Sequence, residues 1–353
     1  MKPPPLPIVK LVLGASRLVA RLRRAITPPP LALVELTSGA YIVSCAILTA
    51  TRLGVPDALV AGPRSAAELA EELELAEEPL YRMLRALAHA GVLAQRGDRF
   101  ELTALSRLLS TDAPGSMRDI LLLGAEPWHH RLWGELEAIV RTGEPAHDRV
   151  LGRSLFEHLE HDRGANEVFN RAMVAYSGQI AAAVAAGYDL SSARQIVDVG
   201  GGIGHLLAAV LARDPRPRGV LFDLPHVVAR APQLGDRVEV CGGDFFDSVP
   251  SGGDAYVLMN ILHNWADRDA ARILASCRRA IAPDGRLVVV EMIIPENRPD
   301  YSAIFDLEML VLFRGGRERT RAELAAVLEA GGFALRRVVA TASPASVIEA
   351  VPA

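Results

Sequence analysis

A glycine-rich loop between a buried strand and an apolar helix constrains the fold of this chain more than any other feature. Residues 196–199 (IVDV) are typical of a buried strand, residues 200–204 (GGGIG) of a tight turn, and residues 206–211 of an apolar helix. A backbone without β-carbons can approach a ligand closely and can take positive φ. The pattern therefore predicts a cofactor at the carboxyl edge of a parallel sheet, although a tight turn without a ligand remains an alternative.

The spacing of the glycines indicates which cofactor the loop suits. A dinucleotide fingerprint would need a glycine at position 205, which is His205. Gly200, Gly202 and Gly204 instead follow the G-x-G-x-G spacing of enzymes that use S-adenosylmethionine (SAM). We therefore expect SAM rather than a dinucleotide at this loop.

Two acidic residues at the ends of later strands support a nucleoside site. A second apolar strand, residues 218–224, ends near Asp223, which lies 19 residues after Gly204. In a βαβ unit such an acid lies at the tip of the neighbouring strand and can accept hydrogen bonds from both ribose hydroxyls, whereas the alternative is an aspartate in a turn before Pro225. After a third strand, we expect Asp244 to meet the adenine amine and Phe245 to cover the ring face.

The composition narrows the class of protein. A length of 353 residues suggests two domains, and a net charge of −4 argues against a general polyanion binder. Three widely spaced cysteines indicate a reducing compartment, so we expect a cytoplasmic protein without a disulfide framework. Residues 41–60 are the longest apolar candidate and are interrupted by charged and helix-breaking residues, so no transmembrane segment is predicted.

Residues 1–32 form a basic arm without any acidic residue. Apolar residues at helical spacing accompany six cationic residues, which are Lys2, Lys10, Arg17, Arg21, Arg23 and Arg24. Such an arm can lie on an anionic membrane as an amphipathic helix, pack on a partner subunit or remain a partly ordered tail. The broken pattern favours the arm or tail over peripheral membrane contact.

Residues 33–112 have the pattern of a winged helix. A capping box at Ser65 and Glu68 opens one helix, a second helix ends at Gly91, and residues 92–102 read as two short strands around a turn. A DNA-binding regulator would present a basic surface, but residues 64–99 hold seven acids against five arginines. The sequence therefore favours a dimerisation module without nucleic acid as a partner.

The rest of the chain divides into a helical segment, residues 113–190, and an α/β domain, residues 191–353. In the latter, strands at residues 195–199, 219–224, 237–241, 255–262 and 286–293 alternate with helices, which predicts a doubly wound parallel sheet. The last two strands, 335–342 and 346–351, are joined by three residues and should form an antiparallel hairpin. The helices of the middle segment are expected to line a pocket for an apolar ligand.

Three titratable residues are expected to converge above the sheet. His263 follows the strand 255–262, Glu291 follows residues 287–290, and Glu318 lies in a glycine-bearing loop before a helix. A carboxylate on one ring nitrogen holds a histidine in one tautomer and makes the other nitrogen more basic. Such a histidine can take a proton from a phenol or similar hydroxyl, and the acids have no spacing that suggests a metal site.

Six motifs in order, VDVGGGIG, FDLP, GDFF, LHNWAD, VVVEMIIPE and GGRERT, resemble SAM-dependent O-methyltransferases of the plant caffeic acid and bacterial polyketide (hydroxyneurosporene-like) type. The resemblance implies an N-terminal winged-helix dimerisation domain, a Rossmann-like SAM domain, a homodimer, S-adenosylhomocysteine as product and an aromatic acceptor. It also implies site residues. Those for SAM are Gly200, Gly202, Asp223, Leu224, Asp244, Phe245 and Ser177, and those for the substrate pocket are Phe169, Met173, Met309 and Phe313.

By the same resemblance His263 is the general base, with Glu291 and Glu318 beside it. Two positions depart from the plant pattern, since Asn264 replaces an aspartate and Met259 replaces a lysine that contacts the adenosine. The alternatives are a C- or N-methyltransferase or a non-methylating SAM-binding enzyme on the same fold, and then a winged-helix DNA-binding regulator that senses SAM.

Overall fold

The computed structural model describes residues 6–353, so Lys2 and the prolines before residue 6 lie outside the described chain. By their internal contacts the described residues form two compact units. The first unit holds Pro7–His130 and Asp162–Ala175, and the second holds Arg131–His161 and Tyr176–Ala353.

Short helices and a small sheet build the first unit. Its elements are α1 (Leu6–Ile26), α2 (Pro29–Val34), a π-helical segment (Glu35–Gly39), α3 (Ala40–Arg52), α4 (Val55–Ala58), β1 (Arg64–Ser65), α5 (Ala66–Glu72), α6 (Glu77–His89), β2 (Leu93–Arg96), β3 (Arg99–Leu102), a 3₁₀ turn (Ser106–Leu109) and α7 (Arg118–Gly124).

The predicted winged helix is present in this unit. The Ser65 hydroxyl accepts a hydrogen bond from the Glu68 N–H at 3.2 Å, and the Glu68 carboxylate accepts one from the Ser65 N–H at 2.7 Å, so the capping box opens α5. Strands β1, β3 and β2 pair in that order, and β2 turns into β3 at Gly97, whose φ is +63°. Phe100 of β3 is fully buried in the apolar cluster between the helices and this sheet.

One helical run in this unit departs from the expectation of no membrane-spanning segment. Residues 29–52 form 24 consecutive helical residues whose apolar window has no buried residue, which passes the length and composition test for a span. The longest apolar helical run therefore lies at residues 29–52 and not at residues 41–60. One such helix is weak evidence, since exposed apolar helices in interfaces between subunits, buried core helices and signal sequences have the same composition.

Helices alternating with strands build the second unit, while α8 and α12 run across the boundary between the units. The elements are α8 (Pro127–Gly134), α9 (Leu136–Thr142), α10 (His147–Val150), α11 (Leu155–His161), α12 (Arg163–Gly187), β4 (Gln195–Val199), α13 (His205–Leu211), β5 (Arg218–Asp223), α14 (Pro225–Val228), β6 (Val238–Gly242), β7 (Ala255–Met259), a 3₁₀ turn (Leu262–Asn264), α15 (Asp267–Ala280), β8 (Arg286–Glu291), β9 (Ile293–Ile294), α16 (Ser302–Leu312), β10 (Arg319–Thr320), α17 (Arg321–Ala330), β11 (Phe333–Ala340) and β12 (Ser346–Pro352).

The predicted doubly wound sheet with an antiparallel last strand is confirmed. Seven strands pair in the order β11-β12-β8-β7-β4-β5-β6, and β12 is antiparallel to both of its neighbours. The central strands are buried on both faces by two apolar clusters, which is why they read as unbroken apolar runs. The chain order reverses between β4 and β7, and a reversal of this kind opens a crevice at the carboxyl ends of the strands.

Two predicted strands end earlier than expected. The strand predicted over residues 255–262 stops at Met259, because Asn260 takes a left-handed φ of +57° and the chain then enters the 3₁₀ turn. Asparagine tolerates this conformation better than most side chains. The strand predicted over residues 286–293 ends at Glu291, and Ile293–Ile294 pairs instead with Arg319–Thr320 as a short parallel ladder. These two changes shape the site that follows.

Candidate active site

The glycine loop adopts the backbone that its sequence predicts. Gly200, Gly202 and Gly204 have φ values of +70°, +60° and +88°. A β-carbon at Gly200 would lie 2.5 Å from Ile261 Cδ1, whereas one at Gly202 would face open space. The loop thus combines positive φ, which disfavours side chains, with an open side on which a ligand can lie.

Asp223 joins the loop to the end of β5. One carboxylate oxygen accepts a hydrogen bond from the Gly202 N–H at 2.8 Å, and the other accepts one from the Leu224 N–H at 2.7 Å. A carboxylate has about four acceptor sites, so two remain for ribose hydroxyls. Burial raises the pKa of Asp223, with the two N–H donors acting in the opposite direction. This geometry fits the ribose of SAM.

A second carboxylate lies behind the same loop. Asp198 of β4 is buried, and neither of its oxygens has a hydrogen-bond partner among the described residues. Burial, followed by the charge of Asp223, raises the pKa of Asp198 to about 7. A β-carbon at Gly201 would lie 2.6 Å from Asp198 Cγ, so the loop closes directly over this carboxyl group.

The residues predicted to hold adenine follow β6. Phe245 Cε1 would lie 3.7 Å from a β-carbon at Gly200, so its ring is beside the loop, where it packs edge-on against Trp265. Asp244 is exposed and accepts a hydrogen bond from the Phe246 N–H at 2.8 Å. Leu224 is also largely exposed. Their contacts with adenine remain predictions.

The structure brings the three predicted catalytic residues together. His263 Nδ1 lies 2.8 Å from Glu318 Oε1, and all three side chains are buried. Glu291 contacts the histidine differently, since its Oε1 accepts a hydrogen bond from the main-chain N–H of His263 at 2.9 Å. Glu318 therefore orients the ring, whereas Glu291 holds the turn that carries it.

Opposing effects set the protonation of this cluster. Burial lowers the pKa of His263, but the hydrogen bond and charge of Glu318, helped by Glu291, outweigh burial and raise the net pKa. Burial raises the pKa of Glu291 to about 6, against the opposing charge of His263. Nε2 of His263 has no hydrogen-bond partner within residues 6–353, and the side chain keeps 8% of its surface exposed. The ring therefore has one nitrogen held and the other free.

The predicted pocket residues fall into two groups. Met309 and Phe313 lie at the end of α16, where a β-carbon at Gly316 would be 2.6 Å from Phe313 Cβ and 3.1 Å from the carbonyl oxygens of His263 and Met309. These two residues therefore lie beside the histidine turn. By contrast, Phe169 and Met173 lie on the stretch of α12 that groups with the first unit, and their role stays a prediction.

Ser177, predicted at the cofactor tail, lies on the part of α12 that belongs to the second unit and is half-buried. Its neighbour Tyr176 stacks on Phe305 with ring centroids 6.1 Å apart. Burial, followed by the charge of Glu318, raises the pKa of Tyr176 well above its usual range. This aromatic pair could not be predicted from the sequence, because nothing in the spacing of Tyr176 and Phe305 signals that they meet.

Two further residues at the histidine cluster were also missed. Asp306 accepts a hydrogen bond from the Glu318 N–H at 2.7 Å, and the fully buried Arg319 contacts the histidine turn. The only available signal was the position of Arg319 inside the GGRERT motif. Within the described chain no group of three or more potential metal-ligating side chains is present.

A seven-stranded doubly wound sheet with a glycine loop, an acid at the next strand end and a buried histidine–carboxylate pair defines a SAM-dependent methyltransferase. The chain belongs to the O-methyltransferase family: residues 133–334 match its O-methyltransferase domain, and residues 34–112 match its dimerisation domain.

Several known proteins are similar to this chain over most of its length. The phenazine O-methyltransferase of Lysobacter antibioticus is 39% identical over 88% of this chain and 93% of its own length. The mitomycin biosynthesis 6-O-methyltransferase of Streptomyces lavendulae is 42% identical over 86% of this chain and 89% of its own length. Among solved structures, the S-adenosylhomocysteine-bound methyltransferase of calicheamicin biosynthesis is 34% identical, with a TM-score of 0.82 over 93% of this chain and all of its own.

These matches establish the chain as a SAM-dependent O-methyltransferase. The O-methyltransferase matches do not favour a different transfer chemistry. A DNA-binding regulator is not favoured either, because the winged helix belongs to the dimerisation domain. The exposed apolar residues of α3 lie within that domain. The apolar helical run over residues 29–52 therefore overlaps the dimerisation domain.

Proposed function

We propose that this enzyme methylates an aromatic hydroxyl and that His263 is its general base. The observation that carries the proposal is that the two ring nitrogens of His263 have different surroundings. Glu318 occupies Nδ1 at 2.8 Å, while Nε2 has no protein partner in the described chain. Neutral histidine hydrogen-bonded in this way presents a basic Nε2 to a hydroxyl.

The base must overcome an unfavourable difference in pKa. A phenol has a pKa of about 10 and a histidine of about 6.5, so full proton transfer costs about 5 kcal/mol. Glu318 and Glu291 narrow that gap, because they raise the pKa of His263. As the proton moves to Nε2, the proton on Nδ1 stays hydrogen-bonded to Glu318, which stabilises the imidazolium. General-base catalysis of this kind contributes about 10²–10⁴-fold.

The cofactor supplies an electrophilic methyl group when it is bound. The residues that would hold it are Asp223 at the ribose, Gly200 and Gly202 along the loop, and Leu224, Asp244, Phe245 and Ser177 at the adenine and the tail. The open side of Gly202 and the two remaining acceptor sites of Asp223 fit this placement. Fixing both reactants in line is itself a large source of rate enhancement.

An aromatic acceptor is supported by two lines of argument. The relatives from phenazine and mitomycin biosynthesis act on ring systems by their names. Beside the histidine turn, Met309 and Phe313 supply apolar surface, and we propose that Phe169 and Met173 complete the pocket. A sulfur-containing and aromatic wall suits a flat apolar ligand.

A screen with labelled SAM tests this function. We expect transfer of label to phenolic oxygen in at least one of a set of polycyclic phenols, with loss of turnover in His263→Ala by about 10²–10⁴-fold. SAM affinity, measured by calorimetry, should stay unchanged, because the glycine loop and Asp223 are untouched. His89→Ala, an exposed histidine on α6, is the matched control. Label on carbon or nitrogen, or near-normal turnover in His263→Ala, would overturn the proposal.

We also propose that the enzyme is a cytoplasmic homodimer and that α1 packs on the second copy. In the structure the described side chains of α1 include seven large apolar ones that are exposed: Ile8, Leu11, Val12, Leu18, Val19, Leu22 and Ile26. The first acid of the chain is Glu35, so this segment is purely basic, whereas residues 64–99 carry more acids than arginines. The helix directly precedes the dimerisation domain, which begins at residue 34.

Substitution of the apolar stripe separates a subunit contact from peripheral membrane contact. In the full chain, Leu11→Glu with Leu18→Glu and Leu22→Glu should weaken the dimer at least about tenfold in sedimentation. Val140→Glu, at an exposed apolar residue of α9, should not. Vesicles of phosphatidylglycerol and of phosphatidylcholine provide the second measurement. An unchanged dimer, together with wild-type binding to the anionic vesicles only, would show that the helix contacts a membrane instead.

A further inference from the structure

Arg319 is a fully buried guanidinium one residue away from Glu318. Its Nη1 donates to the Leu262 carbonyl at 2.9 Å, and its Nη2 donates to the Trp265 carbonyl at 2.8 Å. Its Nε and Nη2 also donate to one Asp267 oxygen at 2.9 and 2.8 Å. The two carbonyls flank His263 on either side in the chain, so one rigid side chain spans the whole histidine turn.

The main chain of His263 is held at two more points. Its N–H donates to Glu291 at 2.9 Å, and its carbonyl accepts from the Arg317 N–H at 2.8 Å. With the two carbonyls bound by Arg319, four main-chain contacts therefore fix the turn to β8 and to the loop and strand that carry Glu318 and Arg319. The arginine is the one side chain among them that ties both ends of the turn.

The charge of Arg319 faces the same cluster. It lowers the pKa of His263 and of Glu291, against the effects of the neighbouring acids. Its ion-pair partner Asp267 is about half exposed, whereas the guanidinium itself is fully buried. A buried charge is costly, and a position that keeps one usually uses it to fix a single arrangement.

We propose that Arg319 is a positioning residue that locks the turn carrying His263. The inference depends on the proposed role of His263 as base. Arg319 contacts neither reactant in this argument; it acts through the histidine. A lysine at this position could not reproduce the fork that reaches both carbonyls and the carboxylate.

The groups that face the ring set the expected pH dependence. Glu318 comes from the loop before β10, Glu291 from β8 and Arg319 from β10, while Asp306 of α16 lies behind Glu318. Removing the arginine removes one of the effects that lower the pKa of His263, so the imidazole should hold its proton to higher pH. The acidic limb of the kcat–pH profile should therefore shift to higher pH. Substitution of a purely structural residue would lower kcat without shifting this limb.

Three variants and one control test the proposal in the full-length enzyme. Arg319→Lys keeps the charge and should lower kcat at least about tenfold with the acidic limb in place, because sub-ångström misplacement of a base is costly. Arg319→Met should lower kcat further and move the limb to higher pH. Asp267→Asn tests the anchoring of the fork if Arg319→Met does not fold. Arg216→Lys makes the same substitution at an exposed arginine that forms two hydrogen bonds to Asp214, and it should change nothing.

The readouts separate this inference from the proposed function. SAM affinity should stay within about twofold of wild type in all four variants, since none touches the glycine loop. Wild-type kcat in Arg319→Lys, or an unmoved acidic limb in a folded Arg319→Met, would overturn the positioning role. If His263→Ala keeps its turnover, the proposed base fails first. If only His263→Ala is inactive, the base stands and the role of Arg319 is wrong.

Discussion

At the scale of single residues, the histidine cluster assigns different tasks to two glutamates that look alike in sequence. Glu318 bonds to the ring at Nδ1, whereas Glu291 bonds to the main chain of His263. The sequence could place Glu291 at the end of a strand and Glu318 in a glycine-bearing loop before a helix, and it predicted that both approach His263. It could not distinguish ring from main chain, since that depends on where the 3₁₀ turn after Asn260 directs each group.

The contact between Glu318 and the ring predicts how the pH profile of kcat should change when the charge of Glu318 is removed. His263 has a folded pKa above its ordinary value because of Glu318, and the active neutral ring is populated above that pKa. Glu318→Gln removes the charge, lowers the pKa of His263 and should move the acidic limb of kcat to lower pH, opposite to the shift expected for Arg319→Met. Profiles between pH 5 and 9 measure it, with the exposed Glu329→Gln as control. A limb that stays in place would mean that Glu318 does not set this pKa.

Asp223 is the residue on which cofactor affinity should depend most. Replacing it with alanine removes both acceptor sites proposed for the ribose and releases the Gly202 N–H. Charge-assisted hydrogen bonds contribute about 1.5–3 kcal/mol each, so SAM affinity should fall more than tenfold. Calorimetric titration of Asp223→Ala against Asp236→Ala, an exposed aspartate in the same unit, makes the comparison. Equal affinities for the two variants would remove the ribose assignment.

At the scale of elements, the glycine loop has positive φ values and packs closely against a neighbouring side chain at Gly200. Gly200 and Gly235 both have positive φ, yet only Gly200 would place a β-carbon against another side chain, Ile261 at 2.5 Å. Alanine at either site incurs the left-handed strain of about 1–2 kcal/mol. Gly200→Ala should lose additional stability and SAM affinity, because Ile261 adjoins the histidine turn. Urea unfolding and SAM titration of both variants test this; equal losses would show that the strain alone matters.

The same scale shows what local sequence can and cannot predict. Strand–helix alternation, the capping box at Ser65 and the terminal hairpin follow from short-range pattern, and the structure has all three. The early end of β7 depends on one left-handed residue, Asn260, inside an apolar run. The pairing of β9 with β10 joins residues 26 positions apart, and the arginine fork joins residues 52 to 57 positions apart. No local pattern encodes either contact.

At the scale of the whole molecule, exposed apolar residues of the dimerisation domain should hold two copies together. Tyr41 and Ile42 on α3 are 67% and 60% exposed, although the domain also has a buried apolar cluster. Because exposed apolar patches often mark interaction sites, we expect these residues of the dimerisation domain to contact a second subunit. We therefore expect the second copy to contribute to the stability of the fold.

A paired substitution tests that arrangement. Tyr41→Asp with Ile42→Asp places two charges in the proposed interface, where burial without a partner is costly, so the protein should sediment as a monomer at concentrations where wild type is a dimer. Val140→Asp, 72% exposed on α9 in the other unit, carries the same kind of change outside the dimerisation domain and should remain dimeric. Because dimer formation stabilises the folded state by mass action, the thermal midpoint of wild type should rise with protein concentration and that of the paired variant should not. A paired variant that still sediments as a dimer would place the contact elsewhere on the molecule.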